Sequence, residues 1–160
     1  MDIKQLMRSF PKSGRIEWIG IRTERGGLLK EVNEISATAS NGLTDDHYKG
    51  KNKKRQVTLI QAEHIKAVAD ILGLESINPQ ELRRNIVISG ANLLALKDLT
   101  FTLGTAKLKM TGYCHPCSRM EKNLGEGGYN AMRGHGGITA EILEDGIISI
   151  GDSLTVLQDQ

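Results

Sequence analysis

Apolar positions along this chain recur with a period of two far more often than with the period of a helix. Arg15 to Arg22, "RIEWIGIR", alternates apolar and polar residues, the signature of a strand with one buried face. "LLKEVNEIS" repeats the pattern, and "VTLIQ" and "NIVISG" read as two further strands. "LTFTLGTAKLKMTG" reads as two strands joined around Gly104, the second delivering the chain to Tyr113. "ITAEILEDGIISIGDSLTVL" closes the chain, and Asp145-Gly146 between its alternating segments predicts a hairpin. One stretch departs from this rule: "AEHIKAVADILG" sets its apolar residues at helical spacing and stops at Gly73. Shorter helical pieces are predicted at "PQELRR" and at "CSRMEKNL", the latter with Pro116 suited to the first helical position. Residues 1–13, punctuated by Pro11, predict a tail or short helix, and Ser40 to Gln56 a long polar loop. Many short strands, few helices and a late hairpin predict a mainly β domain over residues 14–160, folded as a closed or nearly closed barrel.

Composition narrows the function classes. A chain of 160 residues is long enough for one proper core. A net charge of +2 does not call for nucleic acid as a partner. No apolar run approaches the roughly 20 residues of a membrane span, so no membrane role is expected. The N-terminus has no apolar signal core, which makes the cytoplasm the expected compartment.

Both cysteines lie in "GYCHPCSRM", at Cys114 and Cys117. A structural zinc site wants four ligands, usually two such pairs; there is one pair, and His47, His64, His115 and His135 add no zinc spacing. A thiol–disulfide oxidoreductase fits C-x-x-C, yet expects it after the first strand of a βαβ unit rather than late in a β-rich chain. A single reactive thiol is the third reading. Cys117 at a helix N-terminus, with Arg119 close in sequence, would favour thiolate, the form that binds soft metals or carries sulfur. The fourth reading is two cysteines packing as small hydrophobes. The residues alone leave these open. "GEGGYNAMRGHGGI" is no phosphate loop, because it lacks a Gly-Lys-Ser/Thr ending and the dinucleotide glycine spacing. It predicts turns, or backbone coming close to a ligand. The basic run Lys49 to Arg55 reads as a solvated loop or the rim of an anion site.

Three segments taken in order break the tie: "NGLTDDHYKG…RQVTLIQAE", "LRRNIVISGANLLAL…FTLGTAKLKMTG" and "CHPCSRMEKNLGEGGYNAMRGHGGITAEILEDGIISIGD". Together they resemble the MOSC family, the domain named after the C-terminal part of molybdenum cofactor sulfurase, in its compact stand-alone form. The resemblance runs from about Gly14 to Leu157. It implies a β-barrel of the pyruvate-kinase β-barrel type, and a molybdenum cofactor or a persulfide as cargo. Pro116-Cys117 matches the family's Pro-Cys form, so the resemblance makes Cys117 the catalytic thiol and molybdenum ligand and leaves the role of Cys114 open. As cofactor-binding residues it implies Arg83, Arg84 and Asn85 in "RRNI". It adds Asp46 and His47 in the "GL…D…H" segment that begins at Gly42 and Leu43; Arg133 and His135 are candidates by their place in the Gly-rich stretch, where flexible backbone could approach an anion. Two functions follow from the resemblance. One is a reductase of N-hydroxylated bases or amidoximes, served by a separate electron-donor protein, since no flavin or haem site is evident. The other is a sulfur carrier loaded by a separate desulfurase. The pyridoxal-phosphate half of the fused sulfurases is absent from the sequence, so pyridoxal phosphate binding is implied only by association with the family. Larger reductase relatives carry an additional N-terminal domain that this sequence does not show.

Overall fold

A computed structural model describes residues 2–24, 27–47 and 52–158. Seven strands close into a barrel. β1 (Gly14–Ile21) lies between β6 (Ile86–Ser89) and β11 (Ser153–Val156), and the ring continues through β7 (Thr100–Leu103), β8 (Ala106–Tyr113), β9 (Ile138–Glu144) and β5 (Val57–Gln61) back to β6. Every pairing around the ring is antiparallel except β5 with β6, which run parallel. Parallel neighbours need a crossover, and α2 (Ala62–Leu72) supplies it before Gly73 ends the helix in a left-handed conformation at φ +70°. The mainly β barrel expected from strand periodicity is the fold observed.

The register of β1 explains how one strand serves two cores. Its pairing with β6 shifts between Ile16 and Trp18, an irregularity that re-aims the side chains beyond it. Ile16, Ile19 and Ile21 fill the barrel interior with Leu59, Ile86, Phe101, Leu108 and Ile138. Trp18 joins a second cluster outside the barrel wall, where Ile65 and Val68 of α2 meet Ile60, Leu82 and Val87. Two short helices dock on that outer cluster: α3 (Ser118–Leu124) through Met120 and α4 (Gly128–Met132) through Met132, both fully buried. A buried methionine contributes roughly 1.5–3 kcal/mol, so these two side chains anchor otherwise marginal helices. α1 (Ile3–Met7) closes its first turn with a capping box between Asp2 and Gln5 and buries no side chain.

Four expectations are corrected. Asp145-Gly146 turns the chain, but no hairpin forms. β9 stays in the barrel, while β10 (Gly146–Ser149) pairs with β3 (Glu34–Thr38), which also carries β4 (Gly42–Leu43) in a separate small sheet. Asp145 instead accepts a hydrogen bond from the Ala39 backbone at 2.8 Å, tying the turn to that sheet. The polar loop holds β4 and a 3-10 turn at Lys53–Arg55; residues 49–51 of the basic run lie outside the described residues. The Gly-rich stretch contains α4 rather than turns alone. Pro116 precedes the N-cap of α3, which is Cys117 itself. Among the described residues no helix is long and apolar enough to cross a membrane.

Gly137 and Gly134 make a controlled pair for substitution. Both have left-handed φ, +85° and +80°. A Cβ at Gly137 would collide with the Leu59 carbonyl of β5, whereas one at Gly134 meets nothing within 4 Å. Gly134→Ala therefore pays only backbone strain, about 1 kcal/mol, and Gly137→Ala loses about 3 kcal/mol or more, compared by urea denaturation.

Candidate functional site

The cysteine stretch leaves the barrel at the end of β8. Its first residue is fastened at once: the Cys114 N–H donates to the Gly137 carbonyl at 2.8 Å, and Cys114 is buried. Three residues on, Cys117 caps α3 and is exposed; both thiols are free. The two cysteines thus occupy different environments, one in the packing and one in solvent. That division matches the reading of one working thiol with a neighbour better than a symmetrical pair.

Arg84 holds this geometry in place. It is 5% exposed, and its guanidinium donates to four backbone carbonyls: Gly136 at 2.7 Å, Leu82 at 3.1 Å, His115 at 3.3 Å and Cys114 at 3.5 Å. The Gly-rich stretch comes close here to protein backbone, since a Cβ on Gly136 would collide with the Cys114 carbonyl. Arg84 was expected to meet a ligand. Its donors are committed to protein carbonyls, two of them in the cysteine loop.

Arg83 takes the opposite course. Its φ of +60° is left-handed, uncommon for a residue with a Cβ, and this turn accompanies a half-buried Arg83 beside a fully engaged Arg84. Its Nη1 donates to the Gly27 carbonyl at 2.8 Å. Partial burial lowers its pKa, and the charges of Arg119, Arg22 and Arg84 lower it further, while Cys117 acts in the opposite sense. Arg83 thus feels the charges of three other arginines and of the exposed Cys117. Like charges held together this way favour an anion between them.

A buried polar chain supports that neighbourhood from the barrel side. Asn85 is fully buried. Its Oδ1 accepts from the backbone N–H and the hydroxyl of Thr58, both at 3.1 Å, and its Nδ2 donates to the Gly20 carbonyl at 3.1 Å and to Asp46 Oδ1 at 3.5 Å. Asp46, also buried, grips Arg22. Asn85 and Asp46, both expected at the cofactor, therefore face protein groups. Nothing in the sequence singles out Arg22, which follows an alternating strand like any solvated arginine; the fold pairs it with Asp46, 24 residues away.

The remaining candidates are scattered. His47 is exposed and lines a cleft of about 940 Å³ with Asp46, Thr44, Lys30 and Lys53. Arg133 is exposed at the end of α4. His135 is turned toward α2: its Nδ1 lies 2.8 Å from the Ala131 carbonyl, and its ring meets His64 edge-on with centroids 5.1 Å apart. A second, smaller pocket of about 260 Å³ lies between Tyr113, Cys114, Pro116 and Gly136. Among the described residues no three His, Cys, Asp or Glu side chains gather as a metal cage. A metal held here would bring most of its own ligands, and Cys117 would add one soft donor.

Comparison with known proteins agrees with this architecture. The family model described as MOSC domain matches residues 44–155, well over half of the chain. The YuaD protein from Bacillus subtilis superposes with a TM-score of 0.80 at 19% identity, covering 93% of this chain and 98% of that one. YiiM from Geobacillus stearothermophilus gives a TM-score of 0.73 at 15% identity, over 91% and 75% of the two chains. YiiM from Escherichia coli gives 0.68 at 17% identity, over 91% and 71%. At such identities the likeness establishes the shared fold. Comparison with curated protein sequences finds no match.

Two outcomes follow from the site's supports. Arg84→Ala leaves four carbonyls without their cation and lowers unfolding free energy by about 3 kcal/mol or more, whereas Arg133→Ala stays within about 0.5 kcal/mol of wild type in the same denaturant titration. The second outcome concerns pH. Burial lowers the His64 pKa below its ordinary 6.5, with repulsion from His135 adding to it and Glu63 opposing. The unfolded chain then binds more protons than the folded one just below that value. Stability is complete above 6.5 and falls as pH drops through the lowered pKa. Melting temperatures recorded from about pH 8 down to about pH 5 show that decline in wild type and a shallower one in His64→Gln.

Proposed function

The chain belongs to the MOSC domain family, and on that premise we propose that it binds molybdenum cofactor through the Cys117 thiolate and serves as a reductase of N-hydroxylated compounds. The family is associated with molybdenum-cofactor and sulfur chemistry. The observation that carries the reading is the placement of Cys117: exposed, free, and electrostatically coupled to Arg83 within a group that includes Arg119. A thiolate is a soft ligand suited to molybdenum, and guanidinium groups suit the phosphate that the cofactor carries. Arg83 and Arg119 would hold that anion, and Arg84 would fix the loop on which Cys117 sits. Bound there, the cofactor would supply the redox centre. Electrons would come from a separate donor protein. The exposure of Cys117 also supports a second reading, a sulfur carrier whose persulfide is loaded by a separate desulfurase; a donor protein could reach this sulfur directly.

Molybdenum analysis of protein purified from a molybdenum-replete, cofactor-making host separates the two. The reductase reading expects stoichiometric molybdenum in wild type, its loss in Cys117→Ser, and retention in Cys114→Ser. Cyanolysable sulfur on a molybdenum-free protein would replace it with the carrier reading. Equal loss in both cysteine variants would return the pair to thiol–disulfide chemistry.

A further inference from the structure

The cysteine loop also borders an apolar space. The pocket of about 260 Å³ beside it and a groove of about 570 Å³ share two lining residues, Leu94 and Tyr113, so the two cavities meet at those side chains. The groove extends from there to α1, with Met7, Ala95 and Leu99 as further apolar lining. Its charged lining residues, Asp2, Lys4, Arg8, Lys97 and Asp98, are all exposed. Among the described residues no lysine, arginine or carboxylate lines the inner pocket.

The backbone of the inner pocket is already engaged. The carbonyls of Gly136, His115 and Cys114 accept from Arg84 at 2.7, 3.3 and 3.5 Å, and the Cys114 N–H donates to the Gly137 carbonyl at 2.8 Å. All four of those residues line the pocket, whereas Arg84 does not. The same bonds that brace the wall against collapse leave a ligand few free polar groups. An anion entering here would give up hydration without a partner in exchange. A preformed apolar cavity with its charges at the outer rim suits an uncharged ring. Tyr113 supplies the surface for one: it ends β8, is 46% exposed, and among the described residues no other ring stacks on it. Aromatic faces pair with flat rings in offset or edge-on geometry.

We propose that the groove is the substrate site of this chain, that it takes an uncharged, flat ring against Tyr113, and that the ring's substituent is presented to the cysteine loop. The proposal rests on the reading of Cys117 as the working thiol. Pro116 of the pocket wall is followed directly by Cys117, and consecutive Cα atoms lie about 3.8 Å apart. Within the N-hydroxylated class, ring-bearing compounds are then preferred over small aliphatic ones, because only a ring fills the space between Leu94 and Tyr113.

Two probes with one head group isolate the ring: benzamidoxime, and acetamidoxime, which carries a methyl group instead. Each is titrated into the full chain labelled with nitrogen-15, purified once from a cofactor-making host and once from a host without the cofactor. Amide shifts locate the probe and give its Kd. Benzamidoxime should move the amides of Leu94, Ala95, Tyr113 to His115 and Gly134 to Gly137 in both preparations. Acetamidoxime should bind about tenfold more weakly or worse. Tyr113→Ala should weaken benzamidoxime about fivefold or more, and Tyr113→Phe should stay within about twofold of wild type, since the ring is kept.

Equal affinity for the two probes overturns the proposal, as do shifts centred on Thr44 to His47 and Lys53, or wild-type affinity in Tyr113→Ala. The comparison of probes needs no variant, so it decides the matter even where Tyr113→Ala fails to fold. Failure here leaves the molybdenum reading standing, because metal content decides that one; a molybdenum-free protein that still binds the ring at these amides would keep the groove and lose the reductase.

Discussion

The buried amide of Asn85 is the contact on which both barrel and site depend. It sits at the start of β6, where that strand lies between β1 and its parallel neighbour β5, and it bonds to both. A fully buried amide with all its groups engaged fixes register better than an apolar residue, because any slip leaves donors and acceptors unpaired. Asn85 passes that constraint outward through Asp46 to Arg22, the residue that follows β1.

On the other side of the same segment, Arg84 makes an equivalent connection to the cysteine loop. Three consecutive residues, Arg83 to Asn85, thus have three fates: one bonds the Gly27 carbonyl, one clamps the cysteine loop, one knots the barrel. The left-handed backbone at Arg83 accompanies this change of direction. A compact motif can supply both the charge of a site and its rigidity, since side chains one residue apart reach different layers of the protein.

Rigidity at Cys117 also comes from packing. α3 and α4 are too short to be stable alone, and their buried methionines tie them to the cluster formed by α2 and the outer face of the barrel. His64 and His135 meet across that same junction, between α2 and the Gly-rich stretch. The thiol is therefore an exposed group on a well-anchored support, the arrangement a ligand-binding side chain needs if its geometry is to persist.

Much of the fold was legible in the sequence because alternation is a local property. "RIEWIGIR", "VTLIQ", "NIVISG" and the pair around Gly104 each became strands, and the one helical period became α2. The motif singles out Cys117, and the fold leaves it exposed at the start of α3. Pairing was not legible: Asp145-Gly146 has the residues of a hairpin, yet β10 pairs with β3, since burying β9 between β8 and β5 closes the barrel. Nor were the roles of the polar residues. Asp46, Asn85 and Arg84 carry motif positions that suggest ligand contact, but a side chain's partner is set by what the fold brings within about 3 Å, and each found protein groups there. Arg22 shows the converse: nothing in its local sequence distinguishes it, and a carboxylate distant in the chain gives it its place.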